Sequence, residues 1–447
     1  MGIDANGQRR VGTPQGDREP VVGATHTGPL KGRKLYIPQM SYSGAAAFAA
    51  AFRSVGIDAE VCPDSDSHTL ELGRRHTSGE ECLPACVTLG NFLKIIERPD
   101  FDPPRAAFFM PTADGPCRFG QYAPYIRKVL RDIGMDDVLV FSPTSKNGYE
   151  GMAEQKNELM RNALRALAAS DVIRKMLHRT RPYETHKGDT DDVFARAIKS
   201  IERVIERRGV PTEQRMKDLE AALTRSRDEF RAVPADYSRR RPLVGVVGEI
   251  FCRLTPFTND YTIRKLEEYG AECTLAHVVE WVWYTNDEQQ KRLRQIGKRF
   301  SKAMLGAKIK DYIQHKDEER IHHVFHEDFR GYEDPPVRRI LEYSQPYLPH
   351  TGALGEMTLS VGKAIFHYHQ GCDGVVDISP FTCMNGIVTE AIYPRVSADH
   401  DHMPIRNFFF DGTQTDLDRD VAIFVELARA YQARKKTTRI YPSNFAA

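Results

Sequence analysis

Leu243-Val244-Gly245-Val246-Val247-Gly248 reads as a buried strand closed by a glycine. Near-continuous runs of β-branched residues mark strands covered on both faces, as in parallel sheets. Downstream, the pattern predicts a helix from about Asn259 to Tyr269, a stop at Gly270, and a strand over 271–275. Helical spacing then fills 285–345. Two more strands are expected at 374–378 and 407–411, and an amphipathic helix at about 418–432 carries Val421, Phe424, Val425 and Leu427.

The same alternation occurs earlier in the chain. Lys34-Leu35-Tyr36-Ile37-Pro38 reads as a strand, about 44–54 as an Ala- and Phe-rich helix, and Ala59-Glu60-Val61-Cys62 as a strand. Strands are also expected at 106–110 and 138–141, with a helix at 121–133 between them. Strands alternating with helices predict an α/β fold: two flavodoxin-like, doubly wound parallel-sheet domains. The openings of the two units echo each other, as a distant duplication or two domains built by the same rules would. The expected division is a disordered tail over 1–33, a first α/β domain over 34–149 and a helical linker or insertion over 150–240. A second α/β domain follows over 241–435, and a C-terminal tail over 436–447. The many Arg, Lys and Glu of 150–240 are read as solvated helix faces.

At 447 residues the chain is long enough for two or three domains. Its formal net charge of +2 and the lack of a standout Lys/Arg block argue against nucleic acid as partner. Apolar runs are strand-sized, so no membrane span is expected, and no secretory h-region opens the chain. These features predict a cytoplasmic protein.

In a reducing compartment, eight cysteines call for an explanation other than disulfides. Cys62 and Cys273 sit in strand-like contexts and read as small buried apolar residues. Cys82, Cys117 and Cys383 fall in loops: Ser78-Gly79-Glu80-Glu81-Cys82-Leu83-Pro84, Gly115-Pro116-Cys117-Arg118-Phe119-Gly120 and Ser379-Pro380-Phe381-Thr382-Cys383-Met384. Ligands of open α/β sheets bind beyond the carboxyl ends of the strands. A helix N-terminus placed there favours a thiolate. Zinc and an iron–sulfur cluster are both open to such a set, as is the simpler reading of buried thiols. Cys-x2-Cys knuckles of structural zinc are absent, and ligands spread over 300 residues suit a cluster clamped between domains. Cys86, Cys252 and Cys372 lie close in sequence to these loops and are possible additional ligands. Arg118 and Arg253 are the basic groups nearest to them.

These loops, in this order, resemble the cluster-binding subunits of the 2-hydroxyacyl-CoA dehydratase family and its double-cubane cluster relatives. The resemblance is closest to the branch described as associated with the CoA activase. It rests on Gly79-Glu80-Glu81-Cys82-Leu83-Pro84-Ala85, Gly115-Pro116-Cys117-Arg118-Phe119-Gly120-Gln121-Tyr122, Val247-Gly248-Glu249-Ile250, Pro256-Phe257-Thr258-Asn259, Leu266-Glu267-Glu268-Tyr269-Gly270, Gly371-Cys372-Asp373-Gly374 and Pro380-Phe381-Thr382-Cys383-Met384, and covers roughly 34–430. It implies a metal-binding iron–sulfur protein holding a 4Fe–4S cluster, or a double-cubane 8Fe–9S cluster, with Cys82, Cys117 and Cys383. It also implies electron transfer from an ATP-dependent activase, a lyase acting on an acyl-CoA or a reductase of small molecules, anaerobic metabolism, and a homo- or heterodimer. Asn385 stands where the family pattern has proline, and no catalytic acid or base follows from the motifs.

Two rivals come from other classes. His322 with His326, His367 with His369, and His400 with His402 form pairs from which a zinc hydrolase could be built. A non-catalytic activase partner would keep the fold and need no intact cluster. No nicotinamide fingerprint occurs. Gly355–Ala364 resembles a P-loop only faintly, because the glycines are too far apart and Ala364 replaces the Mg²⁺-binding hydroxyl.

Overall fold

The computed structural model describes residues 28–113, 115–143, 155–349, 355–413 and 416–441. Eight strands form among them: β1 (Lys34–Ile37), β2 (Ala59–Val61), β3 (Ala106–Phe109), β4 (Leu139–Phe141), β5 (Leu243–Gly248), β6 (Glu272–Leu275), β7 (Gly374–Pro380) and β8 (Ile405–Phe410). They build two all-parallel sheets with orders β2-β1-β3-β4 and β6-β5-β7-β8. Helices cover the sheets, and every residue of β3, β5 and β7 is buried, which explains the uninterrupted apolar runs of β3 and β5. In both sheets the chain leaves the first strand to one side and returns on the other, so β1/β3 and β5/β7 flank the reversal points where α/β sheets open a crevice.

The two sheets turn their carboxyl ends toward each other. Thr255, past the end of β5, donates to the carbonyl of Met40, past the end of β1, at 2.6 Å. Arg74 donates to the carbonyl of Asp411, just beyond β8, at 2.8 Å. Gly248 closes β5 at φ 110°, and a Cβ there would lie 2.2 Å from the Ile378 carbonyl oxygen. Only glycine lets the chain leave the strand so close to β7.

The first helix of the insertion differs from its sequence reading, while the two that follow keep nearly all of their charges at the surface, as expected. Lys156–Thr180 is a 25-residue helix whose charged residues are largely buried, not solvated. It is wedged between the two units. On one side Asn162 donates to Ser54 Oγ at 2.9 Å and Leu167 faces Gly44. On the other, Asp171 accepts the Val279 N–H at 2.9 Å and His178 bonds Glu267 at 2.9 Å. Its charges survive burial because they are paired. Arg165 reaches Asp317 through two bonds of 2.8 and 3.0 Å, and Arg181 grips Glu267 at 2.6 and 2.9 Å. One apolar core therefore runs from Leu35 and Phe52 through Val172 and Ile173 to Val244 and Val376. The helices Asp189–Ile205 and Thr212–Arg231 complete the insertion.

The ends of the division also differ in detail. Residues 1–27 lie outside the described residues, but 28–33 form a turn that buries Leu30. Arg439, in the segment read as a C-terminal tail, is buried and bonds both Glu272 and Tyr332. Lys363, the lysine of the P-loop-like stretch, lies in the core, bonded to Glu280 at 2.8 Å and Asp334 at 3.0 Å, where no nucleotide phosphate could reach it. No helix among the described residues is long and apolar enough to cross a membrane.

Candidate functional site

Three of the eight cysteines occupy the same local position: Cys82 precedes the helix Leu83–Ile96, Cys117 the short turn Arg118–Gln121, and Cys383 the helix Met384–Asp399. Cys117 follows β3 and Cys383 follows β7. The Leu83–Ile96 helix leads toward β3 and so starts at the carboxyl edge of its sheet, where Cys82 also sits. Each cysteine stands where Ser or Asp would ordinarily cap a helix. Thr382, next to Cys383, has φ 62°, a left-handed conformation that a β-branched residue rarely adopts. Arg118 spans the gap, donating to the Glu80 carbonyl at 2.7 Å and lying 3.4 Å from Thr382 Oγ1. One guanidinium thus touches the loops of all three cysteines.

Beneath them lies Glu249, half-buried just past the end of β5. Its carboxylate accepts the N–H groups of Phe251 and Cys252 at 3.0 and 2.7 Å. Glu356 reaches the same turn and accepts the Ile250 N–H at 2.8 Å. Burial raises both carboxyls, and the charge of Glu249 adds to the rise in Glu356. Arg253 closes the turn by donating to the Gly248 carbonyl at 2.7 Å.

Burial pushes the Cys82 thiol up to about 11, against the hydrogen bond from Tyr122 and the Ala85 amide, with Glu249 and Cys117 adding to the rise. Burial pushes Cys383 up to about 12, against the amides of Gly386 and Asn385, with Glu249 and Glu356 adding. Cys117 is raised by burial and by the same two carboxylates. All three are free thiols, Cys117 exposed and the others half-buried. They are neutral near pH 7, and binding a metal group would expel their protons. Amides aimed at all three sulfurs are what a sulfur-rich anionic group would use.

The remaining cysteines separate. Cys252 is buried under the site, donating to the Thr258 carbonyl at 3.7 Å, and Cys82 and Cys383 both act on its charge. Cys86 bonds Thr77, three residues past the helix Ser67–Arg74, and its backbone carbonyl packs against Gly73 of that helix. Cys372 lies before β7 beside Asp373, at the amino edge of the sheet, and the seven residues of β7 hold it about 20 Å from Cys383. As a shared ligand, Cys372 is therefore excluded by the length of the strand. Cys62 and Cys273 are buried, as expected.

Sequence reasoning missed Tyr122, whose hydroxyl is 2.7 Å from Cys82 Sγ, and Glu356. Tyr122 stands among the residues that carry the resemblance, but nothing local marks its partner. The expected histidine pairs do not assemble. His367 is buried beneath Gly245, while His369 and His400 stack around Tyr343 and Tyr368. Among the described residues no three His, Cys, Asp or Glu are close enough to hold a single metal ion. A multi-iron cluster, with its thiolates on separate irons, needs a wider spacing.

No family model matches the chain, and no curated protein matches its sequence.

Proposed function

We propose that the chain is an iron–sulfur protein of the 2-hydroxyacyl-CoA dehydratase type, with two flavodoxin-like domains that hold a cluster through Cys82, Cys117 and Cys383. The observation that carries this reading is the common setting of the three thiols: each precedes a helix or helical turn at a sheet's carboxyl edge, and Arg118 touches all three loops. The donor set fits the group, since three free thiols with facing amides leave a fourth position open. When bound, such a cluster supplies a low-potential electron for a radical dehydration or reduction. The protein's own residues hold the thiolates, place Arg118 to offset negative charge, and set the Glu249 and Glu356 carboxylates close to the thiols.

In this reading the electron comes from an ATP-dependent activase docking transiently over Cys117, the most exposed of the three. The substrate is an acyl-CoA thioester or a small molecule, and the protein works in the cytoplasm. Anaerobic purification with iron, sulfide and zinc analysis tests the proposal. Iron with sulfide supports it; zinc, or no metal, overturns it. Reduction followed by EPR with a cognate activase and Mg²⁺-ATP tests the partnership, which fails if dithionite alone reduces the protein equally fast.

A further inference from the structure

The helix Lys302–His323 turns a row of large apolar side chains to solvent. Its inward side is mixed, with Met304 and Ile321 buried beside polar groups. Gln314 and Lys310 bond Asn286 at 2.8 and 3.1 Å, and Glu318 accepts from Trp283 at 2.9 Å, all against the helix Val279–Gln295. Its outward side is apolar. Leu305, Ile309, Tyr312 and Ile313 follow an i, i+4, i+7, i+8 spacing, one continuous stripe about 12 Å long. Leu305 is 61% exposed, Ile309 51% and Tyr312 68%, and Phe300 at the tip of the hairpin is 95% exposed. Isolated exposed apolar residues are ordinary, but an aligned row of them marks a surface that another molecule covers.

Charge identifies that molecule. Residues 291–316 contain nine Lys or Arg and a single acid, Asp311, in a chain whose overall formal net charge is only +2. Lys298, Lys302, Lys308 and Lys316 are exposed and have no ion-pair partner among the described residues. They border the stripe. A second copy of the chain would bring like charges face to face across a twofold axis. A nucleic acid would gain little from a row of Leu and Ile. On a bilayer, Lys302 and Lys316, which share the face of the stripe, would be carried toward the acyl chains.

We propose that this helix face docks an acidic partner protein, whose apolar groove receives Leu305, Ile309, Tyr312 and Ile313 and whose carboxylate rim meets the flanking lysines. This is helix-in-groove recognition with an apolar centre and a charged rim. The inference is independent of the cluster assignment.

A photo-crosslinking residue placed at Leu305 in the full chain, with Glu390 on another exposed helix as the control position, tests it in the native cell. The expected result is an adduct to one other protein, joined through an apolar segment rich in Asp and Glu. That protein, once purified, should bind the unmodified chain with an affinity that falls steeply between low and high salt. It should bind the Leu305→Glu/Ile309→Glu double variant at least tenfold more weakly, with the variant's thermal midpoint unchanged. An adduct to a second copy, to RNA or to lipid overturns the proposal. So does flotation with phosphatidylserine vesicles, or labelling no greater than at Glu390.

Discussion

Thr255 Oγ1 donates to the Met40 carbonyl at 2.6 Å, joining the end of one sheet to the end of the other. The Arg118 contact with Thr382 and the Arg74 bond to Asp411 cross the same boundary. Each is made by residues beyond or beside the carboxyl ends of strands, so the cysteine loops of the two units share one crevice. No single domain contains the whole site.

The ligand assignment makes a graded prediction. Cys82→Ala, Cys117→Ala and Cys383→Ala each lose most bound iron and sulfide after anaerobic purification. Cys372→Ala and Cys86→Ala keep it, because one lies at the opposite sheet edge and the other is engaged by Thr77. A loss of about half the iron on replacing Cys252 would mark the larger double-cubane cluster.

Gly248→Ala should be severely destabilising. The new methyl would meet the Ile378 carbonyl at 2.2 Å and Asp377 at 2.7 Å, at a φ of 110°. A loss of about 3 kcal/mol or more is expected from clash and backbone strain together. Urea unfolding measures it, and a shift of under about 1 kcal/mol would show that the end of β5 can yield.

Asp317→Ala strips the partner from Arg165, whose side chain has no exposure at all. Leaving that charge buried and unpaired costs about 3–5 kcal/mol. Arg161 shares the same carboxylate but is 37% exposed, so Arg161→Ala should cost no more than about 1 kcal/mol. The denaturation midpoints of the two variants separate the cases.

Stability should fall as pH drops below about 6.5. Burial pushes His322 down to about 4 and His367 to about 3, and holds His277 far below its usual range. Between those values and 6.5 the unfolded chain binds protons that the folded one does not, so stability rises with pH there. His322 alone accounts for up to about 3 kcal/mol between pH 6.5 and 4. His322→Gln should flatten the thermal midpoint against pH over that window. Glu267, which Arg181 and His178 hold at about 2 despite burial, adds a loss of the same sign below about pH 4.

Much of the fold is legible locally. Runs such as Ala106–Phe109 and Leu243–Gly248 are apolar because both sheet faces are covered, and that burial is written residue by residue. The positions of Cys82, Cys117 and Cys383 ahead of helices are local too. The burial of the charged Lys156–Thr180 helix was not legible. Arg165, Asp171 and Arg181 carry the composition of a solvated helix, and only partners 86 to 152 residues away make them core residues.

The sequence by itself determined the two alternating strand–helix units and the loops from which a thiol could act, because hydrophobic periodicity and helix starts depend on near neighbours. Only the tertiary structure decided which thiols share a place. Cys372 and Cys383 are close in the chain yet lie at opposite edges of one sheet, because an extended strand turns sequence separation into distance. Cys117 and Cys383 are far apart in the chain, yet their loops meet at Arg118 and Thr382, because the packed Lys156–Thr180 helix fixes how the two domains face each other.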